Sequence, residues 1–302
     1  MKRWIKISAI ALAAVVVVAG GAFAAALQLG ERKMHRRIAV DPPPVAAATE
    51  AASIERGRYL FMSRGCSECH GATGVGKDVV NDASGLLIHA PNITPARGSV
   101  VASYQAADWV RSIRHGVKPN GEPILVMPSE DYNRLTDADL AALIGFVRQL
   151  PAADGPAATV RFPPMVKALY GLGVIPDAAE KIDHALPPSK PIAEGVTPEH
   201  GAYVANACIG CHGAALSGGK IPGAPPHWPA AANLTPAPEG AMARYPTVEA
   251  FAAMLRSGKR PDGSAVSAVM PFAALQAMND TDVQAMYLHL KRLPAVPTGE
   301  RR

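Results

Sequence analysis

Net charge is almost missing from most of this chain. Its 302 residues carry a formal charge of +5, but residues 1–37 hold seven Lys/Arg and one Glu, hence +6. The remaining residues sum to −1, so the sequence gives no electrostatic footprint for nucleic acid. Strand alternation is also missing: no stretch reads convincingly as apolar-in, polar-out, which predicts a mainly helical body. Cysteine is scarce, with four in all, at 66, 69, 208 and 211. Two pairs so far apart exclude a zinc ribbon, whose knuckles sit roughly 15–20 residues apart. A disulfide within either pair would strain a short loop, and no βαβ setting supports a thioredoxin-like redox pair.

What the chain does have is Cys66-Ser67-Glu68-Cys69-His70, and again Cys208-Ile209-Gly210-Cys211-His212. C-x-x-C-H is the attachment pattern of c-type haem. Two thiols about one helical turn apart can each add to one vinyl group of the macrocycle. The histidine that follows is carried under the iron, where its imidazole ligates it. Cys66, Cys69, Cys208 and Cys211 are therefore expected to hold two covalent haems, with His70 and His212 as axial ligands.

The two motifs open an internal duplication with an offset close to 142 residues. Gly57-Arg-Tyr59 is matched by Gly201-Ala-Tyr203, and Asn92-Ile-Thr-Pro95 by Asn233-Leu-Thr-Pro236. Lys118-Pro-Asn-Gly121 is matched by Arg260-Pro-Asp-Gly263, and Met127-Pro128 by Met270-Pro271. Leu135-Thr-Asp-Ala-Asp139 is matched by Met278-Asn-Asp-Thr-Asp282, and Leu150-Pro151 by Leu293-Pro294. Each module should contain three main helices. The first, at 54–63 or 198–206, leads into C-x-x-C-H. The second closes at Gly116 or Gly258, as a helix end favours. The third is capped by Thr136 or Asn279 and stopped by Leu-Pro.

Met127 lies 57 residues after His70 and Met270 lies 58 after His212. A thioether presented from a proline-stiffened loop suits the sixth position of a haem iron, so both methionines are expected as axial ligands. Met62, Met242 and Met254 read as packing residues. No histidine outside the motifs holds the same place in both copies. Arg114 and Arg256 do match, and are expected either to meet haem propionates or to sit as solvated helix ends. Tyr59 and Tyr203 are read mainly as packing between helices.

Lys2, Arg3 and Lys6 precede an uncharged run from Ile7 to Gly30, long enough to cross a bilayer. It predicts a retained single-span anchor rather than a removed signal peptide, despite the cleavage-like Ala22-Phe23-Ala24. Basic residues flank both ends, so charge leaves orientation open. C-type haem is attached on the export side, which puts the body in the periplasm. The expected organisation is an anchor with basic collar (1–37), a Pro/Ala tether (38–52), module one (53–151), a Pro-rich linker (152–194) and module two (195–302).

Over roughly 53–151 and 195–295 these motifs together resemble class I cytochrome c modules. More narrowly, they resemble the cytochrome subunits of membrane-bound periplasmic dehydrogenases for alcohols, aldehydes and sugar acids such as gluconate. Many such subunits carry three haem modules, and two are seen here. The resemblance implies an all-α fold of two tandem modules, each enclosing one haem between its first and last helices. It implies no catalytic residue of its own and one-electron transfer. Electrons would pass between a periplasmic dehydrogenase or quinol-oxidising complex and a terminal oxidase or soluble cytochrome, at the lipid of the inner membrane. The alternative is a di-haem peroxidase or thiosulfate-type oxidoreductase with one labile ligand.

Overall fold

The computed structural model describes residues 2–225 and 227–300; the outer limits of the first and last expected segments, 1 and 302, lie outside them. The chain opens with α1 (Lys2–Met34), whose apolar stretch has a mean hydropathy of 2.5 and is almost wholly uncovered by the rest of the protein. Module one holds α2 (Ala51–Ser63), α3 (Cys66–His70), α4 (Ala106–His115), α5 (Ser129–Tyr132) and α6 (Asp137–Arg148). The linker supplies α7 (Pro164–Gly171) and α8 (Ala178–Lys181). Module two repeats the plan with α9 (Pro198–Ala205), α10 (Ile209–His212), α11 (Val248–Ser257), α12 (Phe272–Gln276) and α13 (Asp280–Arg292).

The helix ends follow the local chemistry. Thr136 accepts from Asp139 N at 3.1 Å and Asn279 from Asp282 N at 2.8 Å, so both expected N-caps form. Gly116 and Gly258 close α4 and α11 in left-handed conformation, with φ +65° and +69°. Each module then builds its core from the first, middle and last helices. Leu60, Phe61, Trp109, Val110, Leu140 and Ile144 meet in one; Val204, Phe251, Leu255, Val283, Met286 and Leu290 meet in the other.

First and last helices cross at backbone contact. A Cβ on Gly57 would stand 2.0 Å from Ala142 O, and one on Gly201 would stand 1.9 Å from Ala285 O. Only glycine allows α2 onto α6 and α9 onto α13 at this distance. That explains the glycine of the repeated Gly-x-Tyr.

The body is mainly helical, as expected, and among the described residues it carries one small sheet that no alternating pattern announces. A three-stranded antiparallel sheet joins β1 (Lys77–Asn81), β2 (Leu87–Ala90) and β3 (Thr159–Arg161) in that order. The strands are too short and too exposed to impose an alternating pattern. Local turn bonds make them: Asp82 accepts from Ser84 N and Leu86 N, which reverses the chain. The linker does lie on the protein surface, as expected. Its strand β3 edges this sheet, and Lys181 of α8 pairs with Glu130 of α5 at 2.6 Å.

The two modules clasp each other reciprocally. The Tyr59 hydroxyl donates to Asp282 Oδ2 at 2.6 Å and receives Asn279 N at 3.1 Å. The Tyr203 hydroxyl donates to Asp139 Oδ2 at 2.7 Å and receives Thr136 N at 3.2 Å. Each repeated tyrosine therefore caps the last helix of the other module, a pseudo-twofold exchange. Neither tyrosine is merely packing between helices. Asp139 is further held by Arg56 through two bonds of 2.9 and 3.1 Å. Asp282 is held by Arg64 across the interface at 2.6 Å and by His200 at 2.7 Å.

Candidate functional site

Both C-x-x-C-H turns form short helices, and each is followed by a glycine at positive φ, Gly71 and Gly213. No disulfide joins the four cysteines among the described residues, and Cys211 is the most exposed. Burial pushes the Cys66 thiol up to about 12, with the neighbouring Cys69 adding to it. Burial, then the charge of Asp131, brings Cys208 to about 12 as well. Before haem is attached, these two sulfurs are therefore held as neutral thiols at physiological pH.

The histidines are oriented from behind. His70 Nδ1 lies 3.0 Å from Pro91 O, and His212 Nδ1 lies 2.7 Å from Ala232 O. A carbonyl can only accept, so Nδ1 carries the proton and Nε2 keeps its lone pair. Burial, partly opposed by the Pro91 bond, lowers the His70 pKa and favours this neutral form. The carbonyls are placed by the N-x-T-P motif that follows them. Asn92 Oδ1 accepts from Thr94 N at 2.8 Å, while its Nδ2 donates to Ala153 O at 2.7 Å. Asn233 does the same with Thr235 N at 2.9 Å and Val296 O at 2.8 Å. The motif thus staples the segment after the last helix to the loop that steers the histidine of each C-x-x-C-H. Sequence reading found the repeat but not this task.

Met127 and Met270 are half-buried and pack against the cores of their own modules. A cavity of about 120 Å³ in module one lies between the N-x-T-P loop, α4 and α6, lined by Ile93, Pro95, Val101, Tyr104, Trp109 and Val147. None of Cys66, Cys69, His70 and Met127 lines that cavity; it is the paired thiols and the imidazole bonded through Nδ1 that fit a covalently attached haem.

Arg114 and Arg256 again match one another. Arg114 donates to Leu135 O at 2.6 Å and pairs with Asp137 at 2.7 Å. Arg256 donates to Gln276 O at 2.6 Å and to Asp280 at 3.1 Å. Each ties the end of a middle helix to the first residue of the last helix. Arg114 Nε is buried without a protein partner among the described residues. His200 and His184, which had no assigned role, are structural: the first holds Asp282, and the second lies 3.1 Å from His115. Burial, then His184, depresses His115 to about 4.

The two attachment turns face the module interface. Gly210 N, inside the second C-x-x-C-H, donates to Asp131 Oδ1 of α5 at 2.6 Å. Reciprocally, α12 packs on α2 and α3 of module one. In both directions the helix just after a Met-Pro abuts the other module's attachment turn.

Comparison with known proteins agrees. Residues 52–147 match the family described as cytochrome C oxidase, cbb3-type, subunit III, and residues 199–294 match cytochrome c. The chain carries two cytochrome c modules. Its cofactors are two covalently bound haems c, one per module. It is 27% identical over 283 residues to the fructose dehydrogenase cytochrome subunit of Gluconobacter japonicus, covering 83% of this chain and 55% of that protein. It is 26% identical over 289 residues to the cytochrome c subunit of alcohol dehydrogenase (quinone) from Gluconobacter oxydans, covering 84% and 58%. To the gluconate 2-dehydrogenase cytochrome c subunit of Pantoea cypripedii it is 32% identical over 103 residues, covering 32% and 22%. The chain spans a little over half the length of the first two relatives. These relatives are named as cytochrome subunits of dehydrogenases, so this di-haem cytochrome belongs with electron carriers rather than with the catalytic components.

Proposed function

We propose that this di-haem cytochrome is a membrane-tethered, periplasmic relay. It takes single electrons from a dehydrogenase, or from a quinol-oxidising complex, and delivers them to a terminal oxidase or soluble cytochrome. The observation that carries the reading is the reciprocal packing of each attachment turn on the helix after the other module's methionine. That arrangement supports a short path between two cofactors inside one rigid body.

In this reading Cys66 and Cys69, with Cys208 and Cys211, hold the haems. His70 and Met127 ligate one iron, and His212 and Met270 the other. When bound, each haem supplies a one-electron Fe(III)/Fe(II) couple. The chain's own residues fix what that couple meets. The Pro91 and Ala232 carbonyls accept from Nδ1 and so would leave Nε2 as the nitrogen for the iron, with Met127 and Met270 supplying the second protein ligand. An iron held by both His and Met would offer substrate no open position. Arg114 Nε supplies a buried donor suited to a propionate, whereas Arg256 serves as a helix clamp. The uncharged stretch of α1 supports the tether, and the names of the relatives support a dehydrogenase as partner.

The matured ferric protein should contain two covalent haems per chain and show methionine–iron charge-transfer absorption from both. Met270→Ala should leave both haems attached, halve that absorption, lower one midpoint potential and admit carbon monoxide to one ferrous haem. A high-spin haem in the unmodified protein, or an unchanged spectrum in the variant, would overturn this assignment.

A further inference from the structure

Helix α7 does not dangle from the body; it runs beside the end of α1. Lys167 O of α7 lies against Gly30, where a Cβ would stand 2.4 Å away. Gly171 lies against Gly30 N and Ala26 O, at 2.4 and 2.5 Å from its own virtual Cβ. Two glycines facing each other let the backbones touch, the device of close-packed membrane helices. Lys33 Nζ donates to Tyr170 O at 2.9 Å, Arg36 donates to the Tyr170 hydroxyl at 2.9 Å, and Lys167 pairs with Glu31.

These contacts fix the direction of α7. Its residue 167 is level with residue 30, and its residue 171 reaches residue 26, so α7 runs antiparallel to α1 and towards the apolar stretch. The chain then turns at Gly173, with φ +76°, and returns. Asp177 is already back at Arg36, bonded at 2.6 and 2.9 Å. The extremity of this excursion is Leu172-Gly173-Val174. Both apolar side chains there are 60% exposed. Twenty residues of α1 counted from Ile7 end at Ala26, and about 20 residues match the hydrocarbon thickness. The turn therefore stands where acyl chains begin. Lys33 and Lys167, with Arg32 and Arg37 exposed on α1 and just after it, stand at the level of lipid phosphates.

We propose that the Leu172-Gly173-Val174 turn is a second membrane contact of the chain, its two side chains entering the outer-leaflet hydrocarbon beside α1. The occupant is lipid, because the turn continues the apolar surface of the spanning helix itself. A further consequence is that the body is fixed in tilt. One helix alone lets it swivel, whereas the turn is also joined to module two, where Ile175 packs against Gly223.

The inference rests on the membrane-tethered reading, and the test separates the two. Native cysteines are consumed by haem, so a single added cysteine takes a nitroxide label. Leu172→Cys and Val174→Cys, with Val17→Cys in α1 and Glu55→Cys on the body as references, would be placed in phospholipid vesicles as matured full chains. Power saturation should show labels at 172 and 174 more accessible to oxygen than to a water-soluble nickel chelate, as at 17, with the order reversed at 55. Aqueous behaviour at 172 and 174 with Val17 in lipid overturns the second contact alone, and points to a protein cover for the turn. Aqueous behaviour at 17 ends both readings.

Discussion

At the scale of single residues, the imidazole of His70 depends on an asparagine it never touches. Asn92 is buried and uses both ends of its amide, one to turn the chain at Thr94 and one to hold Ala153. Pro91, directly before it, presents its carbonyl to His70. Asn92→Ala leaves Thr94 N without its partner, at about 1–3 kcal/mol, and leaves Ala153 O only the bond from the Thr94 hydroxyl. It also frees the carbonyl that sets the imidazole plane. The electron paramagnetic resonance g-values of the first haem should shift in that variant while those of the second stay put; Asn233→Ala should do the converse. The cysteines, histidines and methionines of the proposed site are legible in the sequence because covalent attachment and ligation would constrain residue type at fixed spacing. The task of Asn92 is only half visible there. Its repetition shows that it matters, but its partner lies 61 residues away, brought close by folding.

Among the elements, the two helix crossings set the geometry of each module. Gly201→Ala would drive a methyl into Ala285 O. The helices would have to separate, at a cost of about 3 kcal/mol, the upper part of the usual range for overpacking. Denaturant unfolding of the haem-loaded variant should show that loss, and the yield of second haem should fall relative to the first. Gly57→Ala should act likewise on module one. The helices themselves were legible beforehand, because caps at Thr136 and Asn279 and stops at Gly116 and Gly258 are local chemistry. The β1–β2 hairpin was not. Its strands are mostly exposed, so no burial pattern marks them, and the third strand comes from a proline-rich segment about seventy residues later. The alignment of the linker helix α7 along α1 depends on a glycine pair, Gly30 and Gly171, that reads as ordinary composition.

For the whole molecule, the interface is a set of buried ions and should answer to acid. Burial raises the pKa of Asp282, but the Arg64 charge and the bonds from Tyr59, Arg64 and His200 outweigh it, leaving the group below its ordinary 3.8. Burial likewise raises Asp139, and Arg56 with Tyr203 outweighs it. A depressed carboxylate contributes stability that is full above the unfolded value and lost as pH falls below it. The modules should stay joined from neutrality down to about pH 4 and loosen below pH 3.8, as an increase in radius of gyration by solution X-ray scattering. Asp131 acts in the opposite sense. Burial, then Glu130, pushes its pKa well up against the bond from Gly210 N, so its ionisation costs the folded state stability as pH rises. Asp282→Ala leaves Arg64 buried without its partner, at about 3–5 kcal/mol, and should open the joint at neutral pH.

The crossed tyrosines also bear on the order of manufacture. Module one is synthesised first, and on its own it lacks both the hydroxyl that completes Thr136 and the acid that neutralises Arg64. Only when the trailing half arrives are both satisfied. A polypeptide truncated before residue 203 therefore leaves an amide and a guanidinium short of the partners that the finished chain gives them.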